Sequence, residues 1–262
     1  LVMLSLPDAD GMCSMGVQAD FFPGFHHQVN SVIGFINPQM PDTAGHRRIA
    51  LSALAGVIEH DAPLPELANR PADAASTTIA QAVACLVPDG ATVQIGTGQI
   101  PSEVLTRLAG HRGLRIHTGI IDDNLLALEA SGALTHDVPI ITGTAIGTRR
   151  LYDALTDHSR FQLKPVSYTH RHANIAAADK FTAINSVLQV DLFGQVSGEA
   201  IGGRIAATPG GLPDFARAAA DSPGGQSIIA VRARGELGKQ DGIVPIIDNP
   251  ASSDSAGGAP AT

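Results

Sequence analysis

The segment VQIGTGQIPSEVL, residues 93–105, predicts a strand that passes through a glycine turn directly into a helix. The strand is expected over 91–96, and Pro101 fits the first turn of the helix, where a missing N–H costs little. Gly96 and Gly98 allow the backbone to adopt positive φ and to approach a ligand closely. The segment therefore predicts a βα unit with its loop at the carboxyl end of a strand, where open α/β sheets bind ligands.

The main-chain amides of this turn are candidate ligand contacts. The N–H groups of Gly98, Gln99 and Ile100 would point toward the strand end, as donors for an oxyanion or a phosphate. The turn lacks the GxGxxG fingerprint of dinucleotide-binding proteins, because Pro101 holds the position of the final glycine. A βα turn without any ligand is the alternative interpretation.

From residue 76 onward, strand patterns alternate with helix patterns. Ser76 or Thr77 is the expected N-cap of the first of these helices, and Gly132 is expected to close another. This alternation is typical of an α/β fold, a mostly parallel sheet with helices on both faces. Strands or β-rich segments are predicted at 91–96, 114–119, 139–147, 161–167, 182–192 and 226–233, and helices at 76–87, 101–110, 123–132, 148–157 and 213–221.

Proline-bearing stretches in the first 75 residues indicate a loop and then a linker. We place a domain boundary near 66–76, which gives a first unit over 1–70 and a second over 71–247. The small-residue, low-complexity segment 248–262 has nothing to bury, and it is predicted to be disordered.

The composition limits the classes of function. Hydrophobic residues make up 44% of the chain but aromatic residues only 4%, so the core must consist mainly of Ala, Val, Ile and Leu. A net charge of −8 argues against nucleic-acid binding, which requires clustered Lys and Arg. No apolar run approaches the roughly 18 residues of a membrane span. We expect no nucleic-acid partner and no membrane partner.

The two cysteines, Cys13 and Cys85, lie far apart and show no CxxC or Cys/His spacing. This pattern favours free thiols in a reducing compartment, and hence a cytoplasmic protein without a bound metal. Cys85 is expected to be buried within a helix, and we assign it no role.

A second glycine-rich region spans 194–203 and 208–215. Glycines surround one short strand, and Gly210 and Gly211 precede a predicted helix, which suggests backbone packed against a ligand. Tight turns in a crowded sheet are the alternative.

Five segments together resemble one family. They are VNSVIGFINPQMPDTAG, DGATVQIGTGQIPSEVL, INSVLQVDLFGQVSGEAIGG, PGGLPDFARAA and SPGGQSIIAV. In this order and spacing they resemble the acetyl-CoA hydrolase/transferase group of family I CoA-transferases, which includes 4-hydroxybutyrate and succinate–acetate CoA-transferases. The resemblance covers about residues 5–247. It implies a CoA-transferase-like fold of the NagB/RpiA type, with an incomplete first domain and most of a second, because the chain is shorter than the family at both ends.

The resemblance also implies a reaction. A glutamate of the family attacks an acyl-CoA, passes through an acyl-glutamyl anhydride and takes CoA as a covalent thioester, a ping-pong route that ordinary carboxylate chemistry supports. Coenzyme A would be a substrate, with a short-chain acyl-CoA and a carboxylate acceptor, and no metal. The turn 96–100 would supply oxyanion and CoA contacts, and the segment 210–215 would lie along bound CoA.

Position 119 departs from this pattern. In the active transferases the strand at 114–119 ends in HTE or YTE, and that glutamate is the nucleophile, whereas this chain reads IHTG. Gly119 has no side chain, so covalent catalysis from this position is impossible.

Several neighbours are candidates to replace the missing carboxylate. Asp122 and Asp123 could serve, or could only cap a helix. Glu199 could act on water or hold a loop. His117 could orient a water, although a histidine there is more often a hydrogen-bonded core residue. The pair Arg149–Arg150 could be surface charges or could meet a CoA phosphate.

Three interpretations stay open. The chain could be a CoA-thioester hydrolase or transferase that uses activated water or another carboxylate. It could be a non-catalytic CoA-binding subunit beside an intact partner, or a fragment of a longer gene product. We expect it to form a homo-oligomer or to need a partner subunit, because a sheet cut in this way exposes its edges.

Overall fold

A computed structural model describes residues 1–68, 71–201, 204–235 and 240–247. The strands are β1 (Val2–Leu4), β2 (Met12–Cys13), β3 (Ile33–Ile36), β4 (Ile49–Ala50), β5 (Gly56–Glu59), β6 (Thr92–Ile95), β7 (Arg115–Ile116), β8 (Ile120–Ile121), β9 (Ile140–Thr142), β10 (Thr144–Ala145), β11 (Phe161–Leu163), β12 (Phe181–Ser186), β13 (Gln189–Asp191), β14 (Val196–Ser197), β15 (Ala200–Ile201), β16 (Arg204–Ile205), β17 (Gln226–Ala230) and β18 (Ile243–Val244). The α-helices are α1 (Phe22–Phe25), α2 (Ala74–Ala84), α3 (Gln99–Arg107), α4 (Asn124–Ala130), α5 (Arg149–Ala154), α6 (Val166–Thr169), α7 (His172–Ala176) and α8 (Leu212–Asp221).

The large sheet is parallel and has the strand order β17-β12-β6-β7. Phe181 pairs with Thr92 across β12 and β6, and a bridge from His117 to Ile141 continues the arrangement toward β9 and β11. Because all four strands run in the same direction, their carboxyl ends meet at one edge of the sheet.

Both faces of the large sheet are covered by helices, as the sequence predicts. On one face, Ile184 of β12 belongs to a core that includes buried residues of α2, α3 and α4. On the other face, Phe181 and Ala183 pack with buried residues of α7 and α8. Successive residues of a strand point to opposite faces, so β12 supplies both cores and is buried almost throughout.

A smaller parallel sheet, β1-β3-β5, lies in the first part of the chain. Its own core consists of Leu4, Cys13, Met15, Ile36 and Ile49. Hydrogen bonds connect this part to the second: Ala19 N–H donates to the Gly143 carbonyl, and Ala145 N–H donates to the Val17 carbonyl. The division at 70/71 stays a prediction.

Several local predictions need correction. The N-cap of α2 is Asp73, whose carboxylate accepts the Ser76 N–H at 2.8 Å, and neither Ser76 nor Thr77 takes that position. A charged carboxylate is the stronger acceptor, and the Ser76 hydroxyl instead accepts from Arg232 at 2.7 Å. Cys85 is exposed because it follows α2 on the side opposite its buried residues Ala80, Val83 and Ala84.

The predicted strand 161–167 is wrong in its second half. It ends at Leu163, and α6 begins at Val166 after Pro165. Val166 N–H donates to the Asp20 carbonyl at 2.7 Å, so a contact distant in sequence turns the chain into a short helix. Gly132 closes α4 at φ +75° as expected, and the segment 248–262 lies outside the described residues.

Candidate functional site

A cavity of about 490 Å³ opens at the carboxyl ends of β6 and β12. The predicted residues on its wall are Gly96, Gly119, Glu199, Gly210 and Gly211. Sequence reasoning linked these positions only through the family resemblance, and the fold brings them around one hollow. Gly98, Gln99, Ile100 and Asp122 are not among the residues that line this cavity.

The floor of the cavity is a pair of buried amides. Gln94 on β6 and Asn185 on β12 exchange hydrogen bonds of 3.2 Å and 3.0 Å between their side chains. A Cβ at Gly96 would lie 2.9 Å from Asn185 Oδ1, so only glycine lets the backbone pass this close. The Gly96 N–H itself donates to the Ile184 carbonyl at 2.8 Å. Gly96 therefore serves the site through its missing side chain.

Thr118, which precedes Gly119, is hydrogen-bonded to the carboxyl end of β6. Its hydroxyl donates to the Ile95 carbonyl at 2.9 Å, and the side chain is fully buried. Because Thr118 precedes Gly119 and Ile95 precedes Gly96, this bond keeps the two glycines at neighbouring places on the wall.

His170 occupies the space in front of Gly119. A Cβ at position 119 would lie 3.2 Å from His170 Cε1 and 3.4 Å from its Nε2. The imidazole packs on the Phe215 ring with centroids 4.6 Å apart, and a Cβ at Gly211 would overlap its Nε2. Sequence reasoning missed His170, because a histidine in a loop shows no periodic pattern and no motif contains it.

The environment of His170 favours its neutral form. Burial lowers the pKa of this imidazole below its usual value, and the nearby carboxylates of Asp214 and Asp20 oppose that shift only in part. His170 Nδ1 lies 2.9 Å from the Thr169 hydroxyl oxygen.

His117, in contrast, is a core residue. Its Nε2 donates to the Thr169 carbonyl at 2.8 Å, and its ring stacks on Tyr168 with centroids 6.0 Å apart. Burial lowers the pKa of His117, which keeps it neutral. His117 does not line the cavity, and its contacts are those of a hydrogen-bonded core residue.

The two acids after β8 have structural partners. Asp122 accepts the Ser102 hydroxyl at 2.6 Å and the Asn124 N–H at 2.9 Å. Asp123 accepts both the N–H and the hydroxyl of Thr148, at 2.7 Å and 2.6 Å, at the start of α5.

The basic pair that follows is exposed. Arg149 donates to Asp153 at 2.6 Å along α5, and Arg150 is exposed beside it. Neither arginine lines the cavity.

A second cavity of about 360 Å³ adjoins the first, and Ser186 lines both. Gln99 and Ile100 lie on its wall at the first turn of α3, together with Arg232 and Arg234. Gly98 precedes this helix with φ +116°, a conformation that favours glycine. A helix N-terminus beside guanidinium groups suits an anion.

Neither a metal centre nor a membrane segment is found where the structure describes the chain. No three His, Cys, Asp or Glu side chains cluster as metal ligands there. No helix within the same described ranges has the length and apolar character to cross a bilayer.

Comparison with known proteins gives three findings. Residues 147–256 match the family described as the acetyl-CoA hydrolase/transferase C-terminal domain. The 4-hydroxybutyrate coenzyme A transferase of Clostridium kluyveri is 34% identical over 96% of this chain and 60% of its own length. RipA from Yersinia pestis is 32% identical with a TM-score of 0.88, covering 95% of this chain and 58% of that one.

A second protein of solved structure agrees with these findings. The 4-hydroxybutyrate CoA-transferase from Porphyromonas gingivalis is 32% identical with a TM-score of 0.83, covering 94% of this chain and 61% of that one. The chain thus spans about six-tenths of the length of each of these relatives.

Proposed function

Since the chain belongs to the acetyl-CoA hydrolase/transferase family, we propose that its larger cavity binds a short-chain acyl-CoA and cleaves the thioester with water. The observation that carries the proposal is the shared hollow, in which the Gly96 turn and the Gly210–Gly211 loop face Gly119. A transferase that works through a covalent glutamyl thioester would need a carboxylate at position 119. A hydrolase needs only a polarised carbonyl and a positioned water.

We assign the acyl end of the substrate to the larger cavity. Its floor of buried amides and its glycine-rich walls allow the thioester to approach main-chain groups closely. Glu199, half-buried on the same wall, would hold a water or the adjoining loop. We do not assign Asp122 to the reaction, because its carboxylate accepts from Ser102 and Asn124.

The CoA arm would continue past Ser186 into the second cavity. There the first turn of α3, with Gln99 and Ile100, lies beside Arg232 and Arg234. Arg232 is paired with the Asp73 carboxylate, so the positive end of the helix and the Arg234 guanidinium would meet the negative charge of a pyrophosphate. In this arrangement Gln99 and Ile100 would contact CoA rather than the reacting carbonyl, while Gly98 lines neither cavity.

A second candidate function is CoA-thioester binding without catalysis. The bare Gly119 favours it, because this position would have lost its chemistry while the cavity kept its shape. The chain would then act beside a catalytic partner.

A thiol-release assay, together with a measurement of CoA binding, distinguishes hydrolysis from binding without catalysis. The purified chain is incubated with acetyl-CoA, butyryl-CoA and succinyl-CoA, with and without acetate as acceptor, and calorimetry measures CoA binding. We expect thiol release that does not depend on acetate. Binding without release would support the second candidate, and neither binding nor release would refute both.

The variant Gly119→Glu tests the assignment of position 119. It should create CoA exchange that depends on the acceptor, at least about tenfold above the wild type, because it restores a carboxylate nucleophile. The His170 ring must shift by a few tenths of an ångström to admit the new Cβ. Gly119→Ala is the matched control, since it fills the same space without a carboxylate. A Gly119→Glu protein that binds CoA yet gains no exchange would contradict the assignment.

A further inference from the structure

We propose that His170 is the general base for thioester hydrolysis, working from the space that the side chain of residue 119 would otherwise fill. This inference rests on the proposed function and names the group that activates the water. Three features around the imidazole support it: a hydrogen bond to Nδ1, the space beside Nε2 and the surrounding charge.

The first is the hydrogen bond that sets the ring tautomer. When the Thr169 hydroxyl donates to the Pro165 carbonyl at 3.4 Å, its oxygen accepts from His170 Nδ1 at 2.9 Å. With its proton on Nδ1, the imidazole keeps a lone pair on Nε2. That nitrogen is the one closer to the missing side chains of the wall.

The second is the pair of glycines that make room for Nε2. A Cβ at Gly211 would overlap this nitrogen, and a Cβ at Gly119 would lie 3.4 Å from it. Any larger residue at Gly211 would displace the ring. His170 also lines the cavity assigned to the acyl group, so a water between Nε2 and the thioester carbon has a place to sit.

The third is the charge around the ring. Asp20 and Asp214 raise the pKa of His170, but burial outweighs them and keeps the imidazole neutral near pH 7. Burial also lowers the pKa of His117, whose Nε2 donates to the Thr169 carbonyl, so His117 adds no positive charge at that pH. Glu199 lines the same cavity. A neutral base close to carboxylates can accept a proton without like-charge repulsion.

The step balances without any further reagent. Water loses a proton to Nε2 as its oxygen forms a bond to the thioester carbon. The tetrahedral intermediate then breaks its C–S bond, and the imidazolium returns the proton to the departing thiolate. The products are a carboxylic acid and CoA.

The test compares His170→Gln, His170→Ala and the wild type as intact chains, with acetyl-CoA, butyryl-CoA and succinyl-CoA as probes. His172→Gln is the matched control, because His172 lies two positions away with its side chain 58% exposed. We expect kcat/KM to fall at least about a hundredfold in both His170 variants and to stay within twofold in the control. Added imidazole should restore part of the activity of His170→Ala.

The pH profile supplies an independent result. In the wild type kcat/KM should rise with pH through one ionisation below pH 6.5, the ordinary histidine value, and His170→Gln should lose this rise. A His170→Gln protein with wild-type kcat/KM, or with low activity that keeps the rise, would overturn the inference and leave the proposed hydrolysis standing. A wild type that binds CoA and releases no thiol would overturn the proposed function and the inference with it.

Discussion

The two parallel sheets of this molecule differ in how they are covered. In the large sheet, β12 is buried along nearly its whole length and lies between two helix layers. In the small sheet, β5 is an edge strand with Val57 48% exposed and Ile58 44% exposed. The larger cavity opens at the carboxyl ends of β6 and β12 in the doubly covered sheet, and no residue of β1, β3 or β5 lines it. The candidate site therefore lies at the strand ends of the sheet that helices cover on both faces.

The largest expected loss of stability comes from removing a side chain that packs between the large sheet and the helices on one of its faces. Phe181 is fully buried between the Phe215 ring, 6.2 Å away and parallel, and the His117 ring. Phe181→Ala should reduce the free energy of unfolding by about 3–5 kcal/mol. Phe35→Ala, in the half-buried β3 of the small sheet, should cost only about 1–2 kcal/mol.

Urea unfolding followed by circular dichroism measures both losses. Phe193→Ala is the control, because this ring is 75% exposed and its removal should change stability by less than about 0.5 kcal/mol. Equal losses for Phe181→Ala and Phe35→Ala would contradict the comparison between the sheets.

The second prediction concerns the pH dependence of the free energy of unfolding, which we attribute mainly to His46 beside the small sheet. Burial lowers the pKa of His46 to about 4, and its Nε2 accepts the Met15 N–H at 3.0 Å. The unfolded chain binds a proton at this residue near pH 6.5 while the folded chain does not, so stability is lost as pH falls from 6.5 to 4. The loss should reach about 3 kcal/mol from His46, with smaller losses of the same sign from His117 and His170.

Unfolding free energies at a series of pH values test this sign. His46→Gln should remove most of the slope, whatever its effect on stability at pH 7. His136→Gln, at a side chain 71% exposed, should keep the slope of the wild type. An unchanged slope in His46→Gln would show that acid sensitivity arises elsewhere.

The smallest effect concerns the connection between the two regions. Asp123 holds Thr148 at the start of α5, and the neighbouring Gly147 carbonyl accepts the Leu67 N–H at 3.0 Å. Asp123→Ala should cost about 1–2 kcal/mol, since it removes two hydrogen bonds at a helix start. Asp153→Ala, on the exposed ion pair with Arg149, should cost less than about 0.5 kcal/mol.

Thermal unfolding measures this pair of variants side by side. If Asp123→Ala were no more harmful than Asp153→Ala, the Asp123–Thr148 contact beside the Leu67–Gly147 bond would contribute nothing to stability.

Much of the large sheet could be predicted from sequence. The turn after β6 combines glycines, a proline and an apolar helix face, and each of these acts locally. The same holds for Gly132 at the end of α4 and for the short helix that became α8. Local chemistry determines these elements, so local patterns reveal them.

The rest depends on contacts between distant segments. The residues Val166–Thr169 have the β-branched character of a strand, yet Pro165 and the Asp20 carbonyl direct them into a helix. His170 follows that helix, so its place on the cavity wall could not be predicted before the helix was known. The amide pair Gln94–Asn185 also escaped notice, because its partners lie far apart in the sequence.

Gly211 illustrates what such distant contacts mean for protein engineering. The atom that a methyl group would bring at this position falls where the His170 ring nitrogen lies. Residue 211 therefore determines whether the imidazole can occupy this space. Glycine leaves room for the ring, and any larger residue would displace it. Whoever transplants this pocket into another scaffold has to move the two residues together.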